Sequence, residues 1–107
     1  MVMYEVNLEV DRAIEQEYEA WLHHHIEEML GFEGFQNAEL FKDEDSTEGV
    51  IRWIVHYRVT DRSTLQEYFE GPAERMRADG IRRFGGRFTA SRSCLLYTSD
   101  AADDCWS

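Results

Sequence analysis

The sequence lacks several features that would point directly to a function. It contains no run of about 18 consecutive apolar residues, which argues against a transmembrane helix and a membrane partner. Its N-terminus, MVMYEVNLEV, has no basic segment followed by an apolar core, so we see no secretory signal and expect a cytoplasmic protein. Only 11 basic residues stand against 22 acidic ones, and the net charge of -11 argues against a nucleic-acid partner. Phosphate-loop, serine-elbow and metal-finger motifs are also missing, so we predict no cofactor and no metal.

Cysteine is confined to the C-terminal end of the sequence, at Cys94 and Cys105. The segment from Cys94 to Asp103, CLLYTSDAAD, resembles the translation of a transposase adapter used for short-read sequencing libraries. The alternative is a natural acidic tail. The resemblance implies that residues 94–107 are a non-native tail that adds little to the core, so we infer no disulfide or metal site from the cysteines. Without the tail's three aspartates the net charge of -11 becomes -8, which leaves residues 1–93 as one acidic, cysteine-free domain.

The segment Val50–Val59, VIRWIVHYRV, has the most regular hydrophobic pattern in the chain. Every second residue from Ile51 to Val59 is apolar, and Trp53 and Tyr57 are among them. The residues between them are mixed and include two arginines and a histidine. A period of two with β-branched and aromatic residues predicts a half-buried strand. Its length and apolar face predict that it is central in its sheet.

Similar patterns place the other elements in the order β-α-β-β-α-β. Strands are predicted at residues 3–10, 35–42 and 87–92, and the first helix runs from a cap at Asp11 to Gly31. A polar turn at residues 43–49 joins the second and third strands. The second helix is capped by Asp61 or Ser63, breaks at Gly71–Pro72 and ends at Gly85. This order predicts an α+β, ferredoxin-like fold with an antiparallel sheet of strand order 4-1-3-2 and both helices on one face.

Four motifs carry a resemblance to a known family. They are YxVxLxV at Tyr4–Val10, EYxxWLxxHIxEML at Glu17–Leu30, VxYR at Val55–Arg58 and RFG at Arg83–Gly85. Together they resemble a family of small uncharacterised bacterial proteins, a domain of unknown function within the dimeric α/β-barrel superfamily. The resemblance implies a homodimer whose subunits pair through their open sheet faces. It implies no particular activity.

The open sheet face is the first candidate site. It combines polar residues of the first and third strands: Glu5, Asn7, Arg52, His56 and Arg58. Opposite charges across antiparallel strands contribute about 0.2–1 kcal/mol per pair, which would be a structural role. The functional alternative is a pocket enclosed when two sheets pack together, with His56 as acid, base or anion ligand.

The first helix carries the second candidate. The run His23–His25 cannot place three imidazoles on one ion, because consecutive helical residues point about 100° apart. His23 and His24 are therefore expected to be solvated beside glutamates. His25 differs because it shares the apolar stripe of the helix with Trp21, so these two are included as candidate pocket residues.

Two hypotheses of function remain open. The first is a small acidic homodimer that binds a metabolite or a protein without catalysis, and the charge balance of the open face favours it. The second is a cofactor-independent monooxygenase or isomerase that acts on an aromatic substrate in a sheet-face pocket. The two hypotheses predict different arrangements of Arg52, His56 and Arg58. In the first, Glu5 and Glu9 neutralise these side chains. In the second, the three side chains converge on an empty pocket.

Overall fold

The computed structural model describes residues 1–43 and 49–96. Its four strands are β1 (Val2–Asp11), β2 (Phe35–Asp43), β3 (Val50–Val59) and β4 (Phe88–Leu96). Its helices are α1 (Glu15–Met29), α2 (Arg62–Glu70) and α3 (Pro72–Phe84), with short 3-10 turns before α1 and after α3. No helix in these ranges is both long enough and apolar enough to span a membrane.

The strands form one antiparallel sheet in the order β2-β3-β1-β4. This is the predicted order 4-1-3-2 viewed from the other edge, so the α+β fold prediction is confirmed. β3 is central, as its alternation indicated, and pairs with β1 along its whole length from Val50 to Val59. The helices lie on one face of the sheet and leave the opposite face open, as the predicted arrangement required.

The core lies between the sheet and the helices. Trp53 of β3 is 1% exposed and stacks on Tyr18 of α1 with ring centroids 5.7 Å apart. Leu65 of α2 and Met76 of α3 complete the helical side of the same cluster. The alternating residues of β1 and β3 that face the helices are buried, except the half-buried Val6, whereas the residues between them are half-buried or exposed. The pleat therefore assigns each side chain of these strands to one face.

Side-chain caps mark the start of two helical segments. The Asp11 carboxylate caps the 3-10 turn before α1 by accepting a hydrogen bond from the backbone N–H of Ala13, and the Asp61 carboxylate caps α2 by accepting one from the backbone N–H of Thr64. Of the two predicted caps for the second helix, Asp61 is thus the correct one. The chain breaks at Gly71 and restarts at Pro72 in the first position of α3, where a missing amide donor costs nothing.

The last strand is longer than predicted. β4 continues to Leu96 instead of ending at Arg92, and the Cys94 side chain is 5% exposed opposite Tyr4 of β1. The expectation that the chain contributes little to the core from Cys94 onward is therefore wrong for Cys94 itself, because the ladder to β1 extends past it. The origin of residues 94–107 stays a prediction. Residues 97–107, like residues 44–48 of the predicted turn, lie outside the described residues.

Candidate ligand cavity

A cavity of about 270 Å³ lies between the helix-covered face of the sheet and the helices α1 and α3. Its size is near the lower end of the range for small-molecule pockets, about 300–1,000 Å³. Most of its lining is aliphatic or aromatic. The polar groups among the lining residues come from four tyrosines, two arginines, one indole and one imidazole: Tyr4, Tyr18, Tyr57, Tyr68, Arg77, Arg92, Trp21 and His25.

The close approach of α1 and α3 shapes one wall of this cavity. Gly80 of α3 lies against Trp21, and a Cβ at position 80 would come within 3.0 Å of the indole ring. The Trp21 Nε1–H donates a hydrogen bond of 3.0 Å to the Asp79 carboxylate. That carboxylate also accepts hydrogen bonds from Arg82 and Arg83. The bond from the indole is the main reason that the pKa of Asp79 lies below its usual value. Glycine and aspartate in successive positions therefore fix the orientation of Trp21.

His25 stacks on that indole, with ring centroids 4.7 Å apart and an interplanar angle of 23°. Its Nδ1 atom is buried and has no hydrogen-bond partner among the described residues. Burial lowers the pKa of His25 from its usual value of 6.5, and the nearby charges of Glu28 and Asp79 only partly oppose this. Protonation would place an unpaired N–H at the buried Nδ1. His25 is consequently an uncharged imidazole at neutral pH, and its Nδ1 atom is available for a hydrogen bond with a bound molecule.

The tyrosines supply aromatic surface together with hydroxyl groups. Tyr4 stacks on Tyr57 with centroids 5.8 Å apart, and Tyr68 packs at a tilt against Tyr4 with centroids 6.3 Å apart. Burial raises the pKa values of Tyr18, Tyr57 and Tyr68 above the ordinary value, so these hydroxyls stay protonated. None of the four hydroxyls makes a hydrogen bond to another residue in the described ranges. They are available to donate to, or accept from, a bound molecule.

The open face of the sheet contrasts with this cavity, because its charges are paired. His56 Nε2 lies 2.8 Å from the Glu5 carboxylate, which also accepts hydrogen bonds from Asn7 and Ser93. The bond with His56 is the main cause of the lowered pKa of Glu5. The Arg52 guanidinium donates to the Glu9 carboxylate over 2.9 Å.

The predicted site residues thus fall on two faces. Trp21 and His25 lie together at the cavity. The other five, Glu5, Asn7, Arg52, His56 and Arg58, lie on the opposite side of the sheet. A pocket around His56 needs a second copy of the chain, so it stays a prediction.

Sequence reasoning did not identify the tyrosines or Arg92 as site residues. The tyrosines occupy core positions of their strands and helices and look like ordinary packing residues. Arg92 could have been found, since it follows Phe88 and Ala90 at alternate positions of β4, where the pleat places an apolar face.

The comparison with known families gives one decisive match. The profile of the family described as a domain of unknown function, DUF4286, covers residues 1–98. The chain belongs to this family. No curated protein matches it in sequence. The predicted membership of a family of unknown function is confirmed by this match, and similar solved structures share the predicted ferredoxin-like fold.

Three of these solved structures show the fold that the chain shares. A proposed antibiotic biosynthesis monooxygenase from Deinococcus radiodurans is 11% identical with a TM-score of 0.73, covering 92% of this chain and 94% of that one. SnoaB, a cofactor-independent oxygenase from Streptomyces nogalater, is 14% identical with a TM-score of 0.69, covering 95% and 98%. MhuD, a haem-degrader from Mycobacterium tuberculosis, is 21% identical with a TM-score of 0.65, covering 92% and 98%. At these identities the likeness establishes the fold, and function has to be argued from the cavity.

Proposed function

We propose that the cavity binds a small aromatic compound with an acidic hydroxyl group, and that the protein is a cofactor-independent oxygenase of that compound. The observation that supports this most directly is the uncharged His25 at the wall of a cavity lined by four tyrosines. Aromatic walls favour a flat ring through stacked and edge contacts. A volume of about 270 Å³ suits one or two fused rings.

The proposed chemistry begins with proton transfer from the ligand hydroxyl to His25, which acts as the general base. The resulting aryloxide is electron-rich enough to pass an electron to O₂ directly. Recombination forms a carbon–oxygen bond at the ring carbon para to the hydroxyl. The peroxide takes back the proton from His25, and loss of the ring hydrogen with cleavage of the O–O bond releases water and gives the quinone. One hydroxyarene and one O₂ thus yield one quinone and one H₂O. Tyrosine hydroxyls around the ring can donate hydrogen bonds to the oxygen atoms on which negative charge develops.

The structural neighbours support an oxygenase over a purely binding protein. One is named as a cofactor-independent oxygenase and one as a proposed monooxygenase, and both share the sheet and helix arrangement that encloses the cavity here. The haem-degrader raises a second ligand class for the same fold. Haem is therefore included in the test as a competing ligand.

The test uses 1-naphthol, whose product would be 1,4-naphthoquinone. We expect binding to quench the tryptophan fluorescence of the protein, to which Trp21 contributes, and oxygen uptake to match quinone formation one to one. The variant His25→Phe keeps a ring against Trp21 but removes the base, so it should still bind and should lose turnover. His23→Phe, an exposed imidazole on the same helix, is the matched control and should keep turnover.

Binding of 1-naphthol without oxidation would support the non-catalytic alternative, in which the protein carries or senses such a compound. Tight haem binding with no affinity for 1-naphthol would contradict the proposal. Equal turnover by wild type and His25→Phe would show that His25 is not the base.

We also propose that the protein is a homodimer through the open sheet face. Phe41 of β2 is 45% exposed there, packs its ring edge on His56 and lies beside Ile54 of β3. Exposed aromatic and aliphatic side chains among paired charges are typical of an interface centre. Ile54→Glu should dissociate the dimer in sedimentation equilibrium, because it would bury an unpaired carboxylate. A monomeric wild type at micromolar concentrations would contradict this proposal.

A further inference from the structure

We infer that Arg92 and Arg77, two exposed arginines that both line the cavity, form an anion site at its mouth, and that the ligand is a hydroxylated aromatic carboxylic acid. This inference deepens the proposed function and rests on it. It is based on the position of Arg92 in the sheet and on the charges of the described residues that line the cavity.

Arg92 occupies an unusual position in the sheet. It pairs with Val6 of β1, and its neighbours at alternate positions of β4 are Ala90 and Cys94, both of which face the helices. At this position the pleat directs the side chain toward the helix-covered face of the sheet, where an apolar residue is expected. It is exposed and yet contributes to the cavity lining, so it lies at the opening, where its long stem can cover apolar surface.

The charge balance of the lining is opposite to that of the whole chain. The sequence has twice as many acidic as basic residues, 22 against 11, but the described residues that line the cavity include two arginines and no aspartate or glutamate. Within the described residues Arg92 makes no ion pair, whereas Arg52 on the open face is paired with Glu9. Two arginines at an apolar cavity, with no carboxylate among its described lining residues, favour a ligand that carries a carboxylate group itself.

The positive charge of Arg92 reaches the polar groups of the cavity. It acts against the burial effect on the pKa values of Tyr18, Tyr57 and Tyr68, and it adds to the lowering of the pKa of His25. The charge of one guanidinium therefore reaches three of the four tyrosines and the imidazole of the cavity.

Arg77 of α3 provides the second cation. Its guanidinium stacks over the Phe69 ring at 5.7 Å, and its charge also reaches Tyr68. Arg77 thus offers a second guanidinium donor in the cavity lining. The ring of a ligand whose carboxylate binds at the mouth would extend inward toward Trp21 and His25.

The experiment compares two ligands that differ only in the carboxylate: 1-naphthol and 1-hydroxy-2-naphthoic acid. We expect the wild type to bind the acid at least about tenfold more tightly, since hydrogen bonds to charged groups are worth about that factor. The preference should shrink as salt is added, because the arginines are exposed. Arg92→Gln should abolish the preference by weakening binding of the acid, and Arg92→Lys should restore part of it. Arg62→Gln, which removes an exposed charge at the start of α2, is the matched control and should keep the preference.

Each outcome separates the anion site from the proposed function. Equal affinity for both compounds, or a preference that survives Arg92→Gln, would overturn the anion site and leave the aromatic cavity standing. Failure of the wild type to bind either compound would overturn both. Thermal melting of each variant confirms that it is folded, and circular dichroism checks that β4 has kept its structure.

Discussion

The two faces of the sheet use the same kinds of residue in different ways. On the open face Arg52 pairs with Glu9 and His56 with Glu5, and these contacts join neighbouring strands. On the helix-covered face His25 has a buried Nδ1 without a partner in the described residues, and Arg92 lines a cavity whose described lining residues include no aspartate or glutamate. Charged groups that pair across neighbouring strands stabilise the sheet. Polar groups left without partners beside a cavity point to a bound molecule, and on this criterion the helix-covered face is the better site.

The largest expected effect comes from the packed side of β3. Trp53→Ala should lower the free energy of unfolding by about 3–5 kcal/mol, because it removes a buried ring stacked on Tyr18. Arg52→Ala, one residue earlier on the open face, should cost about 1 kcal/mol or less, because its pair with Glu9 is solvent-exposed. Urea denaturation measures both. Similar losses for the two variants would contradict the assignment of β3 side chains to faces.

The sequence was sufficient to predict the fold because short-range rules agreed with one another along the chain. The period of two in β3, the break at Gly71–Pro72 and the strand order all follow from local patterns. The predicted end of β4 lies too early in the chain. The sequence after Ser93 resembles an adapter, and this resemblance was given more weight than the alternation of the strand. The ladder to β1 extends the strand to Leu96 regardless of where those residues come from.

The candidate site was harder to predict, for a physical reason. A strand pattern shows which residues share a face, but it does not show where the helices leave space above that face. Trp21 and His25 were found because they lie on a single helical stripe. The cavity itself depends on the contact between Gly80 and Trp21, which joins two helices far apart in sequence. Tyr57 is indistinguishable from a core residue until that space is known.

The second prediction concerns the pH dependence of stability, which should differ between variants of the buried His25 and the exposed His23. The pKa of His25 is lower in the folded state than the unfolded value near 6.5, so the unfolded chain binds the proton more readily. The contribution of this group to stability is therefore complete above pH 6.5 and is lost as the pH falls toward the lowered pKa. His25→Phe should make the stability less sensitive to pH in that window, as urea titrations at several pH values would measure. His23→Phe should leave the wild-type slope unchanged.

The third prediction concerns the paired carboxylate of the open face. The pKa of Glu5 is lowered from 4.5, chiefly by its bond with His56, so its contribution to stability is present above 4.5 and is lost as the pH falls through the lowered value. Glu5→Gln should cost about 0.2–1 kcal/mol at neutral pH, the range for a cross-strand pair. It should also remove part of the acid sensitivity of unfolding. Ligand binding in the cavity should not change, and a loss of binding would show that the two faces are coupled.

The smallest expected effect on stability is that of Tyr57→Phe. Removing a hydroxyl that is satisfied by the protein costs about 1 kcal/mol. The Tyr57 hydroxyl makes no hydrogen bond to a described residue, and its ring keeps the stack on Tyr4 in the variant. The free energy of unfolding should therefore change by less than about 0.5 kcal/mol, whereas the affinity for 1-naphthol should fall if the hydroxyl contacts the ligand. Ser93→Ala, which removes a donor to Glu5 on the open face, is the control for binding and should leave that affinity unchanged. A large loss of stability with unchanged affinity would make Tyr57 a structural residue and would remove it from the site.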